Sequence, residues 1–270
     1  MCSMARCELL RLSWKLVLAL FSIASVPAFA QSPMRTVHVF VALADNANQG
    51  IVPVPAKLGN GEDAERNLFW GSAFGVKTFF SRSSDWKLIV CGEKPKYEVL
   101  ERCVFKHRTA NVYLVADAYR GREIQTAILN FFDATAGISW EQITVKDGPQ
   151  NVTLAIRGGS NLLAYIGHDG LMDFKLPRLS RQKNDTPRQA IILACASKIY
   201  FAEPLRASGA YPLLWTTNLM APEAYTLKSA LDGWILGESN EQIRDRAAAA
   251  YDKYQKCGRN AARKLMASGW

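Results

Sequence analysis

Two short stretches decide the fold that this sequence predicts. Residues 162–174 read LLAYIGHDGLMDF, and residues 190–197 read AIILACAS. Each begins with an apolar run of strand length and then releases a reactive side chain, His168 in the first and Cys195 in the second. Short apolar runs that stop at turn signals are typical of strands buried on both faces, as in a parallel sheet.

Similar runs recur along the chain and alternate with helical patterns. Residues 36–44, 111–118 and 213–217 are strand-like, whereas residues 122–135 and 222–235 carry apolar residues at helical spacing. This alternation predicts an α/β fold, a three-layer sandwich with a mainly parallel sheet covered on both faces. Ligand sites in such sheets form beyond the carboxyl ends of the strands.

The remaining elements complete the predicted organisation. Residues 64–81 have the composition of a helix, and residues 31–238 make up the predicted domain. Residues 239–270 are expected to form a C-terminal helix packed on that domain, with Ser239 and Gln242 as its capping box and Cys257 on its buried face.

The N-terminus predicts export. Residues 1–30 combine basic residues, the apolar run LVLALFSIASV and the sequence Ala28-Phe29-Ala30, which together are typical of a cleaved signal peptide. We expect a mature chain that starts near Gln31, is secreted or periplasmic, and has no integral membrane segment after processing.

Composition narrows the function classes. The 270-residue chain carries a formal net charge of +9, but its basic residues are scattered and no zinc-finger or helix-turn-helix pattern occurs, so no nucleic-acid partner is expected. The chain has no C-x-x-C pair, and neither a metal nor another cofactor is predicted. Cys91 and Cys103 lie in two strand-like runs separated by a turn, where antiparallel pairing would allow a disulfide.

His168 and Cys195 suggest nucleophilic catalysis. If their strands are parallel neighbours, both side chains leave the same edge of the sheet. An imidazole beside a thiol favours the thiolate and can later protonate a leaving amine. Backbone N–H groups of the turn at Asp169 and Gly170, or of Cys195 itself, are candidates to bind the developing oxyanion.

A strand ending in His, then a strand ending in Ala-Cys, then a helix and a further strand, resembles the caspase-like cysteine peptidases, the group of caspases, metacaspases, legumains and gingipains. The resemblance implies that His168 and Cys195 are the catalytic pair and that Gly170 helps form the oxyanion hole. It also implies that Trp215, Thr216 and Thr217 line the substrate groove, although a buried tryptophan is an equally good interpretation of Trp215.

Other polar residues near these strand ends leave alternatives open. Asp45 and Asn46 follow the first strand and are candidates for substrate binding, although both residue types also favour loops. Asp169 and Asp173 flank the histidine; either is positioned to orient the imidazole or to cap a turn.

The sequence therefore predicts an exported caspase-like cysteine peptidase or related hydrolase, which acts on a peptide or protein substrate without a cofactor. The alternative is a non-catalytic envelope binding protein on the same scaffold. Asp169 favours this alternative because the family usually has glycine directly after the histidine. A serine esterase is a poor third interpretation, since no G-x-S-x-G motif occurs.

Overall fold

The structure is a computed structural model that describes residues 33–270, so the predicted signal peptide lies outside the described residues. In this range the chain forms an α/β fold with an eight-stranded mixed sheet, a two-stranded hairpin and seven α-helices. The predicted α/β class with a mostly parallel sheet is confirmed. No helix between residues 33 and 270 is long and apolar enough to span a membrane.

The ten strands have the following bounds: β1 (Arg35–Ala42), β2 (Trp86–Lys96), β3 (Val99–His107), β4 (Val112–Tyr119), β5 (Trp140–Asp147), β6 (Gln150–Arg157), β7 (Leu162–Ile166), β8 (Gln189–Leu193), β9 (Tyr211–Thr216) and β10 (Met266–Ala267). The helices are α1 (Val76–Ser81), α2 (Ile124–Thr135), α3 (Ser197–Tyr200), α4 (Ala202–Ser208), α5 (Ala224–Leu236), α6 (Asn240–Gln255) and α7 (Arg259–Leu265).

The large sheet has the strand order β10-β9-β8-β7-β1-β4-β3-β2. The five strands from β9 to β4 are parallel, and antiparallel strands flank them at both ends. Since the chain direction is shared, the carboxyl ends of these five strands meet at one edge of the sheet. That edge is where sites form in α/β folds.

Helices cover both faces of the sheet, and β1 shows how the two cores are separated. Its Val37, Val39 and Val41 side chains join a core that includes residues of α1, α5 and α6. Phe40 and Ala42 point the other way, into a core that includes residues of α2 and α4. A strand with two buried faces needs no polar alternation, which explains the continuous apolar run in the sequence.

The hairpin of β5 and β6 packs over β3 and β4 and covers a charged cluster in the sheet. Asp117 on β4 is fully buried and accepts two hydrogen bonds from the Arg102 guanidinium, at 2.6 and 2.8 Å. Arg102 also donates to Glu141 on β5, at 2.7 Å. Burial alone would raise the pKa of Asp117, but the hydrogen bonds from Arg102 and His38 and the charge of Arg102 hold it well below its ordinary value.

His38 is a neutral member of this cluster. Its Nδ1 accepts the backbone N–H of Arg157 at 3.1 Å, so Nε2 carries the ring proton and donates to Asp117 at 3.1 Å. Burial lowers the pKa of His38, which agrees with this tautomer. The histidine thus ties β1 to both β4 and β6.

Two sequence predictions about helices need correction. Residues 64–75 form turns, and only Val76–Ser81 is helical. Here the Asn67 side chain exchanges two hydrogen bonds with the backbone of Ala44, at 3.0 and 2.8 Å, which holds the turns against the end of β1.

The C-terminal segment also differs from the prediction. The Ser239–Gln242 capping box is present, but α6 ends at Gln255, and left-handed Lys256 and Gly258 separate it from α7. Cys257 lies in this break and is exposed, so its predicted place in the core is wrong.

The disulfide between Cys91 and Cys103 is confirmed. The two residues lie directly opposite each other on β2 and β3, with a Cα–Cα distance of 4.1 Å. Closing so short a loop in the unfolded chain is expected to stabilise the fold by about 3 kcal/mol.

We therefore expect the double variant Cys91→Ala/Cys103→Ala to lose about 3 kcal/mol in free energy of unfolding, measured by urea denaturation. The variant Cys257→Ala, which removes an exposed free thiol, is the control and should leave stability unchanged. An equal loss in both variants, or a difference that persists under reducing conditions, would contradict the expectation.

Asp117→Asn should cost about 3 kcal/mol in free energy of unfolding, because it leaves the buried Arg102 without its main counter-charge. Asp63→Asn, which breaks a surface pair with the exposed Arg66, should cost less than about 1 kcal/mol. Since folding lowers the pKa of Asp117, its contribution is present above pH of about 4 and is lost on acidification. If the wild-type protein and the Asp117→Asn variant gave the same free energy of unfolding at every pH, the ion pair between Asp117 and Arg102 would contribute nothing to stability.

Candidate active site

The two predicted catalytic residues emerge next to each other at the carboxyl edge of the sheet. β7 and β8 pair in parallel with Ile166 opposite Leu193. His168 and Cys195 are each the second residue beyond this pair, and both line the same cleft. Strand register therefore brings the imidazole and the thiol to one site.

Glycine is required at the turn before the histidine. Gly167 has a φ of 154°, and a Cβ on it would lie 2.9 Å from the carbonyl oxygen of Ala42 on β1. The Tyr165 hydroxyl then donates to the His168 carbonyl at 2.8 Å. These contacts fix the direction in which the chain leaves β7.

Cys195 precedes a strained residue. Ala196 adopts a left-handed conformation, with φ of 47°, and the chain enters α3 directly after it. Such a conformation costs a residue with a Cβ about 1–3 kcal/mol and is tolerated where its surroundings enforce it. The Ala196 N–H donates to the carbonyl of Asn218 at 2.9 Å, which holds the turn in place.

The Cys195 sulfur is a half-buried thiol held by Met220. The Met220 N–H donates to the sulfur at 3.4 Å, and the thiol lies 3.6 Å from the Met220 carbonyl oxygen. Burial raises the pKa of Cys195, and the nearby Asp169 raises it further. The resting form at neutral pH is therefore the thiol, so nucleophilic attack needs a base.

His168 is the candidate base, because it lines the same cleft as Cys195. Its Nε2 lies 2.6 Å from Oδ2 of Asp173, and its side chain is 9% exposed. If Nε2–H donates to this carboxylate, Nδ1 keeps its lone pair, and no residue from 33 to 270 hydrogen-bonds to Nδ1. Of the two open alternatives, the structure pairs Asp173 with the imidazole and uses Asp169 as a cap.

The same Asp173 oxygen binds the wall of the cleft. Oδ2 also accepts the backbone N–H of Gly50 at 3.1 Å. A Cβ at Gly50 would lie 2.5 Å from Oδ1 of Asp173, so glycine permits this approach. The loop that follows β1 is thus attached to the residue that orients the histidine.

The cleft that holds His168 and Cys195 has a volume of about 320 Å³. We call it the His168–Cys195 cleft. One wall is the loop of residues 50–54, and the opposite wall is the segment of residues 219–223. Its lining is mainly apolar, with side chains that include Ile51, Val54, Leu68, Phe69, Met172 and Met220.

The predicted oxyanion donor is already engaged. Gly170 is buried in a short 3₁₀ turn, and its N–H donates to the His168 carbonyl at 3.1 Å. By contrast, the N–H groups of Asp169 and Cys195 have no hydrogen-bond acceptor in the described part of the chain. Of the two residues only Cys195 lines the cleft, because Asp169 is fully buried, so the Cys195 N–H is the better candidate to bind an oxyanion.

Asp169 is a buried carboxyl group beside the site. Its Oδ1 accepts the N–H of Leu171 at 3.0 Å, whereas Oδ2 is buried with no partner among the described residues. Burial raises the pKa of Asp169 to about 7, and the charge of Asp173 adds to this rise. Burial therefore disfavours the charged form of this carboxyl group.

Asp45 and Asn46 brace the loop that forms the cleft wall. Asp45 accepts hydrogen bonds from the backbone of Ala47 and Asn48 and from the Asn48 amide. The Asn46 amide bonds both backbone groups of Val54, at 2.8 and 3.1 Å. Their polar atoms are engaged within the chain, so the structure gives both residues a role in shaping the wall.

Trp215, Thr216 and Thr217 do not line the His168–Cys195 cleft. Trp215 is 1% exposed and packs edge-on against Trp270. The buried Thr216 hydroxyl binds the Ala194 carbonyl, which supports the turn at Cys195 from beneath. The Thr217 hydroxyl donates to the Lys264 carbonyl at 2.8 Å.

Sequence reasoning missed the segment that does form this wall. Residues 219–223 follow β9 and carry Met220, which holds the thiol, and Glu223. The only local signal was the position of this segment after a strand that follows Cys195.

Potential metal ligands cluster at one place in residues 33–270, at Cys91, Glu101 and Cys103. The two sulfurs are bonded to each other in the disulfide, so this group does not present a metal site. That the protein needs no cofactor stays a prediction.

Comparison with known proteins identifies no relative. No family model, no curated protein and no solved structure matches the chain. The geometry of the cleft is therefore the observation that bears on function.

Asp169→Asn should stabilise the protein at pH 8 and have little effect at pH 4. Folding raises the pKa of this carboxyl group, so its ionisation destabilises the fold progressively as pH rises from about 4 through 7. The upper bound of the gain is about 4 kcal/mol. Denaturation of both proteins at several pH values measures it, and a difference that does not grow with pH would contradict the assignment.

Proposed function

We propose that this chain is a caspase-like cysteine hydrolase that cleaves peptide or amide bonds, with Cys195 as nucleophile and His168 as base and acid. The observation that carries the proposal is the pairing of β7 with β8 in register, which sets an Asp173-bonded imidazole and a free thiol in one cleft. Side chains from distant parts of the sequence must converge in this way for nucleophilic catalysis.

The proposed reaction follows from the two ring nitrogens. Nδ1 of His168 accepts the thiol proton as sulfur attacks the substrate carbonyl, and Asp173 stabilises the imidazolium through Nε2–H. The N–H group of Cys195 binds the oxyanion. His168 returns the proton to the leaving amine as the C–N bond breaks, and a water molecule then hydrolyses the thioester with His168 as base.

The proposal includes the fold family and the location. The strand order, with β7 followed by the histidine and β8 by the cysteine, supports the caspase-like assignment. The disulfide between Cys91 and Cys103 suits an oxidising compartment and supports a secreted or periplasmic protein.

A second candidate is a non-catalytic binding protein on the same scaffold. The observation that favours it is the half-buried Cys195 thiol, which lies 3.6 Å from the Met220 carbonyl oxygen and whose pKa both burial and Asp169 raise. A protein of this kind would use the cleft to bind a peptide without cleaving it.

Thiol labelling separates the two candidates. On a Cys257→Ala background, we expect iodoacetamide to modify Cys195 at pH 7.5 at least about tenfold faster than in His168→Ala, because the imidazole removes the thiol proton. Asp173→Asn should lie between them. The His168→Ala rate should rise only as the isolated thiol ionises in alkaline solution. The measurement is intact-protein mass against time, and equal rates with and without His168 would favour the binding protein.

A further inference from the structure

The walls of the His168–Cys195 cleft indicate which side chain a substrate presents beside the reactive carbonyl. Residues 50–54 contribute Ile51 and Val54, residues 219–223 contribute Met220, and Leu68 and Phe69 complete the lining. These side chains come from three separate segments and form a continuous apolar lining. A volume of about 320 Å³ is at the lower end of the range of small-molecule sites, about 300–1,000 Å³, which suits one large side chain with its adjoining backbone.

The charges in the lining exclude most polar partners. No Lys or Arg side chain lines the cleft in the described part of the chain, so an acidic side chain would find no counter-ion there. Apart from His168 and Cys195, Glu223 is the one residue in the cleft lining that can carry a charge. Its Oε2 already accepts the Tyr225 hydroxyl at 2.9 Å and the Gln255 amide at 3.3 Å.

We infer that the His168–Cys195 cleft selects peptide substrates with a large apolar side chain, such as leucine, on the acyl side of the scissile bond. This inference rests on the proposed function. An apolar side chain releases water from apolar walls, whereas an aspartate or arginine loses its own hydration without an equivalent partner. Apolar pockets discriminate on the order of 10- to 200-fold per group.

Three irreversible probes test the preference without requiring turnover. They are tripeptidyl acyloxymethyl ketones that are identical except for leucine, aspartate or arginine next to the ketone. The Cys195 sulfur forms a C–S bond to the methylene carbon, the C–O bond breaks, a carboxylate leaves with the electron pair, and His168 takes the thiol proton. The readout is the second-order rate of labelling on the Cys257→Ala background, followed by intact mass.

We expect the leucine probe to label Cys195 at least about tenfold faster than the aspartate or arginine probe. An arginine rate equal to or above the leucine rate, if it is lost in Glu223→Gln, would overturn the inference in favour of a basic side chain held by Glu223. A faster aspartate probe, or three similar rates, would also overturn it.

A matched pair of substitutions tests the location of the side-chain site. Val54→Arg places a positive charge in the wall and should raise the aspartate-to-leucine rate ratio at least about tenfold. Val54→Asp should do the same for the arginine-to-leucine ratio. If neither ratio changes, the substrate side chain binds elsewhere and the inference fails.

Failure of this inference is distinguishable from failure of the proposed function. Iodoacetamide carries no peptide, so labelling of Cys195 that depends on His168 supports the base and nucleophile whatever the walls select. If that dependence holds and the peptidyl probes react without preferring leucine, only the apolar preference is overturned. If the dependence is absent, the proposed function fails first.

Discussion

Parallel pairing between β7 and β8 is the constraint on which the site depends. Both strands run in the same direction at the centre of the sheet, and Ile166 lies opposite Leu193. The chain therefore leaves both strands at one edge, and the residues two positions later, His168 and Cys195, emerge together. A shift of the register by one residue would turn the side chains of the shifted strand to the opposite face of the sheet, and either His168 or Cys195 would move with them. The apolar side chains buried on both faces oppose such a shift and so preserve the site.

Rigid support surrounds this edge. Gly167 approaches the carbonyl oxygen of Ala42, and Ala196 is held in a left-handed conformation by its bond to Asn218. Thr216 bonds the Ala194 carbonyl beneath the cysteine. At the far side of the sheet, the cluster of His38, Arg102 and Asp117 joins the hairpin to the strands. The candidate site thus lies on a framework that fixes backbone positions on several sides.

Local sequence patterns predicted the strands whose side chains are buried. Continuous apolar runs marked β1, β4, β7 and β8, and two strand-like runs marked the cysteines that form the disulfide. Such patterns carry no information about partners distant in the chain. The spacing of residues in the sequence did not predict the hydrogen bond between Asp173 and His168. It also did not predict the hydrogen bond from the Asn46 side chain to the backbone of Val54.

The other differences between the predicted and the observed structure also come from features that local sequence patterns do not encode. Residues 64–75 have a helical composition, yet Asn67 binds the backbone of Ala44, and tertiary hydrogen bonds replace the helix. At the C-terminus, left-handed Lys256 and Gly258 end one helix and precede another, which exposes Cys257. The strand pattern of the sequence allowed Trp215 either to line a groove or to be buried. Its packing against Trp270 shows that it lies away from the cleft.

Oδ2 of Asp173 accepts both the imidazole N–H and the backbone N–H of Gly50. A molecule that enters the cleft and displaces residues 50–54 changes the number of donors that compete for this oxygen. Occupancy of the cleft and orientation of the ring are consequently linked equilibria, and by reciprocity each biases the other. Loss of the Gly50 hydrogen bond would leave the imidazole as the remaining partner of this oxygen.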